Sequence, residues 1–237
     1  VHASADGVPV VHHDAMLERT TDGNGPISAH PAAALAGVRV RGREPLPLLE
    51  QVLTELPDPR ITVVTSAVNR GHGPSVRDGW YRSDAEWVLS IDSDGQVDLA
   101  SFGRLWDARG DADLVLGVRV GRHDPLHRRL VTAATRALAG LIVRRRLTDA
   151  NTPFKLMRHE LLRHLDDVVA PGAFAPTVLV VIGATRARAR VVEVPVTQLP
   201  RLHGRSTLRP ARLARALARC TRETLRAARV PVAPLRS

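Results

Sequence analysis

Two aspartates stand one residue apart directly after an apolar run, and they are the most chemically informative residues in the sequence. Residues 88–91 are apolar or small, and Asp92-Ser93-Asp94 follows them. Such a run predicts a buried strand, and ligands of open α/β sheets collect at the carboxyl ends of strands. Two carboxylates there suit Mg²⁺ or Mn²⁺, hard cations that prefer oxygen ligands. The same residues also suit an acidic turn before a helix, so the pair alone leaves both interpretations open.

Further polar residues and glycines follow the other predicted elements, and we treat them as candidate ligand-binding groups. They are Asn69, Gly71, Gly73, Arg77, Arg119, Asp149, Lys155 and Arg201. The two glycines lie where the backbone would pass close to a ligand. Structural alternatives remain open for the others. Arg119 could pair with an acid such as Asp113, and Asp149 could cap the turn that follows it.

The elements that must position these residues alternate between strand and helix. Strands are predicted over residues 8–11, 61–64, 88–91, 113–116 and 190–196. Helices are predicted over residues 47–56, 74–82, 99–109, 126–146 and 177–187. This alternation favours an α/β layer with mostly parallel strands. The double proline at residues 57–59 is the best candidate domain boundary, and it separates residues 1–58 from 59–237.

The order of the segments after this boundary resembles the family 2 glycosyltransferases, particularly the relatives of dolichol-phosphate mannosyltransferase. The matching pieces lie at residues 69–73, 92–94, 117–119, 149–156, 193–196 and 201–206. The resemblance covers about residues 60–229. It implies an incomplete GT-A fold, which is a Rossmann-like mixed sheet flanked by helices. The strands that would hold the nucleotide base and ribose have no counterpart in the sequence, so we expect impaired activity.

This resemblance implies transfer of a sugar from a nucleotide-sugar to a polyprenyl or dolichyl phosphate or a similar acceptor. Asp92 and Asp94 would hold Mg²⁺ or Mn²⁺ and the donor diphosphate. The acceptor side would be lined by Arg119, Asp149, Lys155 and Arg201. A lipid phosphate is already anionic, so the reaction needs positioning and charge cancellation more than a general base. With a sugar hydroxyl as acceptor, Asp149 would be the first candidate base.

The segment before the boundary resembles a different family, the glycerophosphodiester phosphodiesterases. The match rests on residues 6–14, 19–25 and 45–53 and covers about the first 57 residues. It implies a strand-loop-helix piece of a TIM barrel and metal-assisted hydrolysis of a phosphodiester, with His13 as the acid/base histidine and Asp14 beside it. The family's opening His-Arg pair and Glu-x-Asp ligands would precede Val1, and one strand and two short helices cannot build a barrel. We therefore expect a remnant of that site, joined to the second piece by a gene fusion, a deletion or an assembly error. A further hypothesis is that the strand and helix of this segment fill the place of the missing glycosyltransferase strand and helix.

The charge of the chain predicts an anionic partner. The net charge is +10 and the isoelectric point is near 11.4, which suits nucleic acid, an anionic membrane or a phosphorylated substrate. Arginines between residues 209 and 229 recur on one face of a predicted amphipathic helix, which favours an anionic membrane surface over a merely solvated face. The aromatic content is 3%, and we find no nucleic-acid motif, so nucleic acid is not expected. A non-catalytic basic module is a third hypothesis.

Targeting signals and cysteine usage predict the location of the protein. A single cysteine, Cys220, excludes an internal disulfide framework. No signal-peptide pattern opens the sequence, and its apolar runs are shorter than the roughly 20 residues that a membrane span needs. We therefore expect a cytoplasmic protein, peripheral to the inner face of the plasma membrane.

Overall fold

The structure is a computed structural model, and it forms two compact units. It describes residues 2–12, 16–18, 20–49, 51–52, 58–62, 64, 70–92, 96–120, 140, 142, 148–199 and 210–235. The first unit comprises Val1–Asn69 with Leu202–Thr207, and the second comprises Arg70–Arg201 with Leu208–Ser237. The units divide at residues 69–70, whereas the sequence suggested a boundary at residues 58–59.

The first unit contains two small antiparallel sheets. Strands β1 (His2–Ala3) and β2 (Pro9–Val10) form one, and β3 (Arg39–Val40) and β4 (Glu44–Pro45) form the other. A short helix, α1 (Ala32–Leu35), follows a 3-10 turn over Ile27–Ala29. Their apolar side chains meet in one small core, made of Val10, Leu17, Ile27, Leu35 and Leu46. Two separate two-stranded sheets are the only sheets among the described residues of this unit, so they show no barrel.

The second unit is built on a four-stranded mixed sheet. Its strands are β5 (Trp87–Ser90), β6 (Leu114–Val120), β7 (Lys155–Arg158) and β8 (Val191–Thr197). Their order across the sheet is β5-β7-β6-β8. β7 is antiparallel to both of its neighbours, and β8 is parallel to β6. Therefore β5, β6 and β8 run in one direction, and β7 runs in the other.

Helices of the second unit cover this sheet. They are α2 (His72–Arg82), α3 (Phe102–Asp107), α4 (His159–His164), α5 (Pro176–Arg186) and α6 (Pro210–Ala227). One buried cluster joins Trp80, β-strand residues and nearly all of α5, whereas a second contains Leu105 and Phe154. α5 is buried over most of its length, which explains its nearly continuous apolar sequence. No helix in the described ranges has the length and apolar content to cross a membrane.

The predicted mixed α/β architecture, with a sheet flanked by helices, is confirmed. The central antiparallel strand β7 was not predicted. The prediction of a buried strand over residues 61–64 is wrong for its described residues. Ile61 and Val64 lie outside any strand and are 49% and 42% exposed, because apolar composition alone does not provide a pairing partner. The predicted helix over residues 126–146 falls almost entirely outside the described residues.

Candidate functional site

Strand directions in the second unit bring several predicted site residues to one edge of the sheet. The carboxyl ends of β5 and β6 lie at the same edge as the first residue of β7, Lys155. Lys155 pairs with Ser90 on one side and with Leu116 on the other. Asp92 lies two residues beyond Ser90, and Arg119 lies three residues beyond Leu116. β7 thus places Lys155 between the end of β5, which leads to Asp92, and the end of β6, which carries Arg119.

Arg119 and Asp149 form a two-pronged ion pair at this edge. The Arg119 Nε–H donates to Asp149 Oδ2 at 2.7 Å, and Nη2–H donates to Oδ1 at 3.0 Å. The Asp149 side chain is 3% exposed, so its charge is stabilised by this partner rather than by water. Because both oxygens accept from Arg119, this geometry suits Asp149 to positioning the guanidinium rather than to taking a proton as a base.

Lys155 is enclosed within the protein, and its side chain organises the turn before β7. The residue is 0% exposed, and its Nζ donates to the carbonyl oxygens of Ala150, at 3.1 Å, and Thr152. Burial lowers the pKa of Lys155 to about 7. The negative charges of Asp149 and Asp92 oppose this shift, and the positive charge of Arg119 adds to it. In this structure Lys155 therefore holds the turn before β7, and its role in ligand binding stays a prediction.

A neighbouring contact supports the same turn from β8, and the sequence did not single it out. The Thr148 hydroxyl donates to Glu193 Oε2 at 2.5 Å, and the Thr148 N–H donates to Oε1 at 3.2 Å. Glu193 therefore fixes the residue directly before Asp149. The partners are 45 residues apart in sequence, so no local pattern indicated the contact.

The described residues at this edge include only some of the ligands that a divalent cation needs. Asp92 is half-buried and supplies a carboxylate of the kind that Mg²⁺ and Mn²⁺ prefer. Its predicted co-ligand Asp94 lies outside the described residues. Within the ranges that the structure describes, no group of three or more His, Cys, Asp or Glu residues could hold a metal ion. Among the described residues at this edge, the Asp92 carboxylate thus fits one ligand position of a divalent cation, and further ligands, such as substrate oxygens, would be needed to hold it.

The two predicted ligand-binding glycines flank the first residue of α2, and the structure gives each of them a backbone role. Gly71 has a φ of 91°, a conformation that favours glycine, just before the helix begins. Gly73 packs so tightly that a Cβ there would collide with the backbone of Ala173 and Phe174. The close approach is therefore to the protein's own backbone. Asn69, the first residue of the predicted loop, lies outside the described residues.

Another predicted ligand-binding residue, Arg77, serves α2 rather than this edge of the sheet. Arg77 is buried, and its guanidinium bonds Asp166 and the carbonyl oxygen of Val169 and lies 3.9 Å from the centre of the Tyr81 ring. These contacts make it a structural tie between α2 and the segment after α4. Arg201 lies outside the described residues.

The predicted phosphodiesterase residues belong to the first unit. His13 and Asp14 lie outside the described residues, but contacts on either side of them are described. The ring Nε2 of His12 and the Thr20 hydroxyl share a hydrogen bond of 2.8 Å. The Glu18 carboxylate accepts from the Gly25 N–H at 2.6 Å. The described residues on either side of His13 and Asp14 are therefore held by hydrogen bonds within the first unit.

Comparison with known proteins gives one family similarity. The model of the Glycerophosphoryl diester phosphodiesterase family matches residues 1–96, which is 96 of the 237 residues. No curated protein matches the chain. The match supports the phosphodiesterase resemblance, and it extends past residue 58 through α2 and β5. The comparisons bring no support for the glycosyltransferase resemblance, which stays a prediction. The N-terminal part of the chain is thus similar to an enzyme family that acts on glycerophosphodiesters.

Proposed function

We propose that the chain is an enzyme of phosphodiester chemistry and that its reaction is the hydrolysis of a glycerophosphodiester. The observation that supports this proposal is the family match over residues 1–96. Water adds to phosphorus and releases one proton to the solvent, the bond from phosphorus to the alcohol oxygen breaks, and His13 supplies a proton to the departing alcohol. A bound divalent cation such as Mg²⁺ or Mn²⁺ would stabilise the charge on the phosphoryl oxygens.

This proposal is tested by the release of glycerol 3-phosphate from glycerophosphocholine in the presence of Mg²⁺ or Mn²⁺. His13→Gln should lower the rate by at least roughly 100-fold, the usual contribution of a positioned acid or base. His30→Gln is the matched control, because His30 lies in the same unit and bonds the Asn24 carbonyl oxygen through a half-buried side chain. Absence of release by the unaltered protein, or equal losses in both variants, would exclude hydrolysis at His13.

A second candidate function is glycosyl transfer from a nucleotide-sugar, and a specific observation in the second unit favours it. Asp92, the ion pair of Arg119 with Asp149, and Lys155 collect at one edge of the sheet. Hydrolysis at His13 would not require these residues of the second unit. Ligands of α/β sheets are bound at such strand ends, and a carboxylate beside cations suits a metal-bound diphosphate.

The groups at this edge can be assigned parts in the transfer. The acceptor phosphate oxygen attacks the anomeric carbon of the sugar, and the bond to the diphosphate breaks, so that a nucleoside diphosphate leaves. Asp92 with Asp94 would hold the divalent ion that neutralises the leaving diphosphate. Arg119, oriented by Asp149, would bind the anionic acceptor, because a guanidinium suits phosphate oxygens. An anionic acceptor needs no base, in keeping with an Asp149 carboxylate that is already engaged by Arg119.

Calorimetric titration with UDP- and GDP-sugars, with and without Mn²⁺, tests this second candidate. Asp92→Asn should abolish metal-dependent binding, whereas Asp84→Asn, an exposed aspartate just before β5, should leave it unchanged. Binding that does not require Mn²⁺, or that survives Asp92→Asn, would contradict the assignment. Binding of no donor by the folded protein would leave hydrolysis as the proposed reaction.

A further inference from the structure

Exposed arginines form a continuous stripe along α6 and the turn that follows it. The arginine stripe consists of Arg215, Arg219, Arg222, Arg226 and Arg229, all of which are exposed. The spacing alternates between four and three residues, so the four members on α6 fall within an arc of about 60° around the helix. They extend over roughly 16 Å of its length. The stripe therefore presents one sign of charge to one side of the helix.

The opposite face of α6 is fixed to the second unit. Thr224 and Ala227 are buried there. The Glu223 carboxylate accepts from the Phe174 N–H at 2.9 Å and from the Ala175 N–H at 3.2 Å, which caps the start of α5. Arg186 of α5 donates to the carbonyl oxygen of Ala227 at 2.6 Å. The stripe is thus mounted on a helix that is tied to the body of the unit at two points.

The side chains around the arginine stripe indicate which kind of anionic partner it fits. Glu223 is the sole acid in the α6 sequence. Its carboxylate accepts from the start of α5 and lies 3.9 Å from the Arg219 Nε, so one carboxylate stands beside the five arginines of the stripe. Leu225 is 45% exposed and offers an apolar side chain near the basic stripe. The ring of Phe174 lies 4.7 Å from the Arg219 guanidinium, so this aromatic side chain is already engaged and is not open for stacking with a nucleic-acid base. A basic face with an adjacent apolar side chain is typical of helices that lie on lipid surfaces.

We propose that the arginine stripe of α6 is a docking surface for a lipid bilayer with anionic headgroups. Basic residues near an anionic leaflet each strengthen binding several-fold, and the attraction weakens as salt screens it. The stripe holds the second unit at the membrane surface. This inference does not depend on either reaction proposed above.

Co-sedimentation of the full chain with vesicles tests the docking surface. The vesicles contain phosphatidylcholine with about one third phosphatidylglycerol, and vesicles of pure phosphatidylcholine serve as the neutral reference. R222Q/R226Q/R229Q should lower the partition coefficient on anionic vesicles by on the order of 100-fold, from a factor of about five for each charge removed. R222K/R226K/R229K keeps the charges and should keep most of the binding.

A matched control separates the stripe from net charge. R82Q/R104Q/R163Q removes three exposed arginines of the same unit that do not belong to α6, and it should lower partitioning far less. Equal losses in the two glutamine variants would overturn the proposal, as would equal binding of the unaltered protein to neutral vesicles. No binding to anionic vesicles, together with salt-dependent binding of a short RNA or DNA duplex through the same arginines, would assign the stripe to nucleic acid instead. Circular dichroism confirms that each variant is folded.

Discussion

The ion pair of Arg119 with Asp149 gives a prediction at the scale of single residues. Arg119→Met leaves the nearly buried Asp149 carboxylate without its guanidinium partner, and we expect a loss of about 3 kcal/mol in the free energy of unfolding. Arg119→Met/Asp149→Leu removes both charges and should recover most of that loss. The measurement is urea denaturation at neutral pH. Glu86→Gln removes a largely exposed partner of Arg158 in the same unit and should cost less than about 1 kcal/mol. A cost for Arg119→Met as small as that of the control would show that the pair is not stabilising.

Lys155 gives a second prediction at this scale, through the pH dependence of stability. Its pKa is about 7 in the folded protein, where burial lowers it, and about 10.4 in an unfolded chain. Between these pH values the unfolded state binds more protons than the folded state. Lys155 therefore makes the free energy of unfolding rise with pH from about 7 to about 10, and it does not change the pH dependence below 7. Lys155→Met removes this contribution. The unaltered protein should therefore gain stability relative to Lys155→Met as the pH is raised through that window, in urea titrations at matched pH. A difference that stays constant with pH would show that the Lys155 pKa is not lowered.

Helix α2 contains two glycines in opposite surroundings, which gives a prediction at the scale of elements. A Cβ at Gly73 would collide with the backbone of Ala173 and Phe174, whereas one at Gly79 would meet nothing within 4 Å. Gly73→Ala should therefore destabilise the protein by about 1–3 kcal/mol through overpacking. Gly79→Ala should stabilise it by up to about 1 kcal/mol, because alanine restricts the unfolded chain and favours the helix. Thermal unfolding of both variants checks the pair. A stabilising Gly73→Ala would mean that α2 does not pack on this segment.

The strands of the second unit show which parts of the fold could be predicted from the sequence. Strands β5, β6 and β8 were predictable because each contains a run of mainly apolar residues. β7 was not, because its sequence, Lys-Leu-Met-Arg, is half basic, and it becomes a strand by pairing on both sides within the sheet. The cluster at the sheet edge was predicted as a set of residues, but the direct pairing of Arg119 with Asp149 was not. Those two residues are 30 apart in sequence, and only the position of the turn before β7 brings them together.

Partition of the chain into two units gives the last prediction, at the scale of the whole molecule. The second unit holds two buried clusters drawn from residues 80–227, whereas the described residues of the first unit supply one cluster of five buried apolar residues. Small cores are marginal on their own, so we expect residues 70–237 to fold cooperatively when expressed alone and residues 1–69 to remain unfolded. Circular dichroism and thermal unfolding of both fragments provide the measurement. A control fragment starting at Trp87 lacks α2, and with it the buried Trp80 and the contacts of Arg77, so it should unfold at a clearly lower temperature than residues 70–237. An unfolded 70–237 fragment would show that residues 1–69 are required for the second core and for the sheet edge that it supports.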